Sequence, residues 1–185
     1  MGEYYDKYER DGDIHWQWYA KNTHRYKDLV NDAIRPFIGA DLGSVIDVGC
    51  GDGLPLSLLN DLGFKCSGVD MNEEGIKLAL EHGVSAEFFI QEAERFAGRK
   101  MKFDYLFSLN TIEHLMDPKA MVEIMKNIKE FGVIITDVKN PDGRSSVYHT
   151  HEFSPEEFED LFADLHLTRI DISDPAYFGY IVKNK

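Results

Sequence analysis

Cysteine is scarce in this chain, with two among 185 residues, and positive charge is sparse as well. Cys50 and Cys66 can build neither a disulfide framework nor a zinc site by themselves. Free thiols with no export signal ahead of them point to a reducing cytoplasm. Long apolar runs are also missing, and none reaches the length of a membrane span. The N-terminal stretch MGEYYDKYERDGD is polar and acidic, which does not fit a signal or transit peptide. Asp6 stands where an N-myristoylation motif needs Ser or Thr. Lysine and arginine number 20 against 33 acids, a net charge of −13. A field of that sign repels nucleic-acid phosphates, and no Lys/Arg stripe with interleaved aromatics opposes it. A small or uncharged partner, or a cationic one, suits the charge better.

What is present begins with a hydrophobic fraction of 43%, enough for one ordinary core. Residues 1–21 carry Tyr4, Tyr5, Tyr8, Trp16, Trp18 and Tyr19, too polar a setting for a core strand. They read as an aromatic arm, either pinned to the surface by its rings or acting as a lid over a ligand. Residues 22–185 read as a single domain. Helical spacing predicts helices over 22–38, 54–62, 73–82 and 117–130. Strands are expected over 44–48, 65–70, 84–90, 103–109 and 132–138. Strands that alternate with helices and are apolar on both faces mean a parallel sheet covered on two sides. The last quarter departs from that rhythm. Ser154, Pro155 and Glu157 spell a capped helix start, and LTRIDIS and YFGYIVK read as two strands pairing antiparallel.

The stretch VIDVGCGDG, residues 45–53, ends the first strand with three glycines, each of which costs backbone entropy. The natural reading is that a ligand passes close to the backbone there. Open parallel sheets bind ligands at the carboxyl ends of their strands. Asp70 ends the next strand, about 20 residues on from the loop, the distance at which such folds set an acid on a ribose diol.

These pieces resemble motif I of the class I S-adenosylmethionine-dependent methyltransferases. Besides VIDVGCGDG, the resemblance is carried by GVD at 68–70, FIQEAERF at 89–96 and FDYLFSLNTIEHLMDP at 103–118. It implies an α/β fold, a three-layer Rossmann-like sandwich whose seven-stranded, mostly parallel sheet ends in an antiparallel C-terminal pair. It also implies S-adenosyl-L-methionine as cofactor, with Asp47, Gly49 and Gly51 near the methionine part, Asp70 on the ribose and Met71 against the adenine. Glu92 and Ala93 would meet the adenine edge, and Asn110 would lie near the reactive methyl. Methyl transfer is a direct displacement, so alignment supplies most of the help, and a base matters when a hydroxyl must lose its proton. His114, His149 and His151 are the candidate bases. A divalent metal is not the expectation. The alternative is a set of Glu113, His114, His149 and His151, since the segment is similar to the small-RNA 2′-O-methyltransferases and ubiquinone-pathway O-methyltransferases, with Asn110 replacing their first Glu. Tyr5, Tyr19, Arg144 and Tyr148 are the candidate acceptor contacts. The expected activity is methylation of a small molecule or sugar, at oxygen before nitrogen. The alternatives are a metal-assisted RNA or quinol O-methyltransferase and a cofactor-binding pseudoenzyme.

Overall fold

The computed structural model describes residues 7–21, 25–140 and 148–185. At its centre is a seven-stranded sheet of order β3-β2-β1-β4-β5-β7-β6. The strands are β1 Ser44–Val48, β2 Lys65–Asp70, β3 Ala86–Ile90, β4 Phe103–Leu109, β5 Ile128–Asp137, β6 His166–Arg169 and β7 Tyr177–Lys183. The first five pair in parallel, while β7 runs antiparallel to both β5 and β6. The expected architecture is therefore the observed one.

The described helices are α1 Lys7–Asp11, α2 Ile14–Ala20, α3 Arg25–Ile34, α4 Leu54–Asp61, α5 Glu73–Glu81, α6 Ala93–Ala97, α7 Lys119–Met125 and α8 Pro155–Leu161. They sort to the two sheet faces because strand side chains alternate. Ile46 and Val48 of β1 join a core with Phe96 of α6, Met121 and Ile124 of α7 and Phe158 of α8. Val45 faces the other way, into a core with Leu29 and Ala33 of α3, Leu56 and Leu59 of α4 and Ile76 of α5. Each fully buried Leu or Phe contributes about 1.5–3 kcal/mol.

Local chemistry explains most boundaries. Ser154 and Glu157 form the reciprocal capping box that opens α8. Asn72 caps α5 by accepting from Gly75 N at 2.8 Å. The helix expected over 22–38 ends its regular turns at Ile34, and Arg35–Phe37 tighten into a 3-10 turn around Pro36. The helix expected over 117–130 is shorter than its periodicity suggests. Ile128 continues the Ile124 spacing, yet it is buried by pairing with Phe103 of β4, so β5 starts there. The first C-terminal strand run, LTRIDIS, is also cut short, ending at Arg169, and Ser173 beyond it donates through its N and Oγ to Asp32 at 2.8 and 2.7 Å. The aromatic arm proves helical over its described part, and the brief α6 had no periodic signal long enough to show.

Candidate active site

Because β1, β2, β4 and β5 are parallel, their carboxyl ends open on one rim, and a cavity of about 850 Å³ lies there. That size suits a small-molecule site. One end is built from residues 47–93. Asp47 at the end of β1 is 1% exposed, and its Oδ2 has no hydrogen-bond partner. Burial, reinforced by the charge of Asp70, pushes its carboxyl well above the usual range. Asp70 lines the cavity and accepts from Gly51 N through Oδ2 and from Asn72 N through Oδ1, both at 2.8 Å. Burial raises its pKa while those N–H groups draw it back. A carboxylate offers about four acceptor positions, so Asp70 keeps capacity beyond the two it spends. Met71, 44% exposed, lines the same end with Gln91, Glu92 and Ala93. Ala93 opens α6, where first-turn N–H groups lack intrahelical partners.

The glycines have a reason within the protein's own packing. All three take positive φ, at +79°, +49° and +74° for Gly49, Gly51 and Gly53. A Cβ on Gly49 would collide with Thr111, one on Gly51 with the Tyr8 hydroxyl, and one on Gly53 with the Ala79 methyl. The protein's own packing demands them, and of the three only Gly49 lines the cavity.

The other end joins distant segments. Asn110 follows β4 at φ +52°, an uncommon conformation outside glycine. Its N donates to Ile135 O at 2.9 Å, its side chain hydrogen-bonds Tyr177, and its Oδ1 is buried without a partner. The next turn, Ile112–His114, is stitched to the loop after β5. Thr150 N and His151 N both donate to Glu113 O, Thr150 Oγ1 donates to Leu115 O at 2.6 Å, and His114 Nδ1 bonds Tyr148 O at 3.0 Å. This stitching brings Glu113, His114 and His149 together, with ligand-type atoms all within 4.8 Å of one another. Glu113 is 1% exposed; its Oε2 accepts from Thr136 Oγ1 at 2.8 Å and its Oε1 has no partner. Burial pushes its pKa up to about 8 and pushes that of His114 down to about 4. His149 stands between two carboxylates, with Nε2 3.4 Å from Asp137 Oδ2 and Nδ1 3.5 Å from Glu152 Oε1.

Some expected residues are not brought in. His151 stacks on Phe153 and its Nε2 lies 3.4 Å from Met116 O, so it joins neither the candidate bases nor the four-residue metal set. The reason is local: residues 148–150 turn, His151 N joins Thr150 N on Glu113 O, and the His151 ring is left against Phe153. Tyr19 donates to Asn31 Oδ1 at 3.1 Å and does not line the cavity. Tyr148 does line it, while Tyr5 and Arg144 lie outside the described residues. Lys7, Tyr8, His15, Trp18, Tyr26, Asp137 and Tyr177 line it unexpectedly. Asp137 carried the same signal as Asp70, an acid closing an apolar strand. Tyr177 carried none, because only the antiparallel register Asp137↔Tyr177 brings the start of β7 to this rim.

Residues 18–171 match the family described as a methyltransferase domain, and the chain belongs to that family. Its fold is that of the class I S-adenosylmethionine-dependent methyltransferases. The chain is 30% identical over 135 residues to the ubiquinone biosynthesis O-methyltransferase of Erwinia tasmaniensis, covering 68% of this chain and 54% of that protein. For the enzyme of the same description from Idiomarina loihiensis the identity is 34% over 107 residues, 55% of this chain and 44% of that one. The chain thus spans about half the length of the curated relatives it matches. In structure it is similar to the magnesium protoporphyrin IX methyltransferase of Synechocystis PCC 6803 with bound SAH. The TM-score is 0.71 at 14% identity, over 97% of this chain and 96% of that one. The plantazolicin methyltransferase BamL, in complex with a triazolic desmethylPZN analog and SAH, gives a TM-score of 0.71 at 15% identity, over 98% of this chain and 93% of that one. Among the described residues, no helix is long and apolar enough to cross a membrane.

Proposed function

We propose that the chain transfers a methyl group from S-adenosyl-L-methionine to an oxygen of a small molecule or sugar. One observation carries the cofactor assignment: four buried polar atoms without partners, Asp47 Oδ2, Gln91 Nε2, Asn110 Oδ1 and Glu113 Oε1, belong to residues lining one cavity. Unpaired buried polar atoms are rare in folded proteins, and a ligand accounts for a cluster of them. The cavity's carboxylates suit a cationic ligand, and Asp70 has acceptor positions for two ribose hydroxyls. The relatives named as O-methyltransferases support oxygen as the acceptor atom.

When bound, S-adenosylmethionine supplies a methyl carbon activated by its sulfonium. The chain's own residues do the rest. Asp70 takes the ribose hydroxyls, with Gly51 N and Asn72 N holding its carboxylate still. Met71 covers the adenine face, and Glu92 with Ala93 N receives its edge. Asp47, Gly49 and Asn110 surround the amino-acid end. On the acceptor side, His149 is the base: Glu152 at Nδ1 orients its ring, and Nε2, on the side of Asp137, takes the hydroxyl proton as the oxygen attacks, leaving an imidazolium between the two carboxylates. His114 is a weaker base because burial keeps it neutral. Tyr148 contacts the acceptor, and the arm closes over it as a lid on the domain formed by residues 22–185. Calorimetry with S-adenosylhomocysteine tests the cofactor reading. Binding at or below tens of micromolar is the expected range, about −6 kcal/mol or better, and a folded sample that shows no heat overturns it.

A second reading has its own observation. The convergence of Glu113, His114 and His149 could hold a divalent metal that polarises the acceptor oxygen. The Tyr148 carbonyl on His114 Nδ1 is the kind of outer contact that orients a metal-bound imidazole. Turnover unchanged after exhaustive chelation removes this reading and leaves the first intact.

A further inference from the structure

The cavity is lopsided in charge. Among its described lining residues, six carry carboxylates (Asp47, Asp70, Glu92, Glu94, Glu113 and Asp137), and only Lys7 is a lysine or arginine. Lys7 sits on α1, in the arm, far from the glycine loop in sequence. A three-residue relay joins them. Lys7 Nζ donates to His15 Nε2 at 2.9 Å, and His15 Nδ1 bonds Asp52 Oδ1 at 2.9 Å. The other oxygen of Asp52 accepts from His15 N at 3.1 Å, and its carbonyl accepts from the Trp16 indole at 2.8 Å. Asp52 is completely buried, in the middle of the glycine loop. Its carboxylate keeps the proton on His15 Nδ1, so Nε2 is left to accept from Lys7. Tyr8, the next residue on α1, packs its hydroxyl over Gly51 and its ring over Gly75. The loop thus fixes the arm at two adjacent residues.

The relay satisfies one of three ammonium protons. Among the described residues no carboxylate forms an ion pair with Lys7, although the field of Asp52 and Asp70 reaches it. Lys7 is half-buried and that burial lowers its pKa, so the fold spends stability to hold a cation in this cavity with no directly paired carboxylate among the described residues. An anion supplied by a ligand would offset that cost.

We propose that Lys7 binds the α-carboxylate at the amino-acid end of the cofactor, and that Asp52, acting through His15, is the positioning residue that aims it. The inference rests on the cofactor reading above. It makes the arm part of the cofactor site as well as a cover for the acceptor, so that a ligand lacking the carboxylate is bound without engaging α1.

Calorimetry on the full chain tests this with three probes: S-adenosylhomocysteine, its decarboxylated analogue, and 5′-methylthioadenosine, which lacks the whole amino-acid end. The wild-type protein should prefer S-adenosylhomocysteine over the decarboxylated analogue by about 10- to 100-fold, the range of one charge-assisted hydrogen bond. Lys7→Met should lose that preference while binding the other two probes within about twofold of wild type. Lys7→Arg should recover much of it, because charge is retained. His15→Phe should lose part of the preference with 5′-methylthioadenosine binding unchanged, a selectivity that a purely structural role would not produce. Equal loss on all three probes in folded Lys7→Met, or no loss on any, overturns the proposal and leaves the cofactor reading standing. A folded wild-type protein that binds none of the three overturns the cofactor reading itself.

Discussion

The two ends of the cavity are made in different ways. The end assigned to the cofactor comes mostly from one stretch, residues 47–93, joined by Asn110 and by Lys7 of the arm, and its key acid is held by backbone N–H groups at 2.8 Å. The end assigned to the acceptor gathers the turn after β4, the loop after β5, the start of β7 and the arm, and its histidine is held by looser side-chain contacts of 3.4 and 3.5 Å. A ligand of constant shape can be met by local geometry that repeats along a parallel sheet. An acceptor that differs between enzymes is met by loops, where side chains change without disturbing the core.

The largest effect that would sharpen this contrast is on turnover. His149→Ala should lower kcat by about 10²–10³-fold, the scale of a lost general base, while the cofactor KM stays within about twofold. A matching loss of cofactor affinity would erase the distinction between the two ends. Asp70→Ala should do the reverse, weakening S-adenosylhomocysteine about 100-fold in calorimetry, because both ribose bonds and the anchored loop are lost. The glycine loop should respond through stability. Gly49→Ala combines a φ of +79° with a collision against Thr111, and should cost about 2–4 kcal/mol in chemical denaturation.

Glu113 provides the pH test. Its folded pKa of about 8 lies above the ordinary 4.5, so the native state keeps a proton the unfolded chain has lost, and stability falls as pH rises across that window. His114 acts in the opposite sense between about 4 and 6.5, where stability rises with pH. The two overlap at lower pH, so Glu113 shows cleanly above 6.5. Glu113→Gln should remove a decline of about 2 kcal/mol between pH 6.5 and 8 in chelator-treated protein, read by denaturant titration at each pH. The smallest effect is assigned to His151, which faces Phe153. His151→Ala should change turnover by about twofold at most, and a larger loss would return it to the site.

Legibility followed the same division. Asp70 was readable because it closes the strand after the glycine loop; Asp47, Met71, Glu92 and Ala93 came through the family resemblance, and the parallel sheet brings all five to one rim. Glu113, His114 and His149 were readable as neighbours because β4 and β5 are adjacent. His151 was grouped with them by the same adjacency, which places a loop at the rim without saying which of its side chains turns inward, and its ring lies on Phe153. The glycines were noticed for a sound reason, their backbone cost, and the structure adds the close approach of Thr111, Tyr8 and Ala79, which no local pattern announced. The arm gave its aromatics and hid its lysine, since a lone Lys7 among acids has no pattern until His15 and Asp52 join it in space.

By itself the sequence determined the layered sheet, the order of its elements and the acids at its strand ends, because period, capping and turn chemistry act over a few residues. The tertiary structure alone decided which polar groups are left unpaired in the cavity, which histidine reaches it, and that the arm brings a half-buried cation to the glycine loop. Those outcomes depend on contacts between segments distant along the chain, whose cost or gain is set by burial and distance rather than by any local pattern.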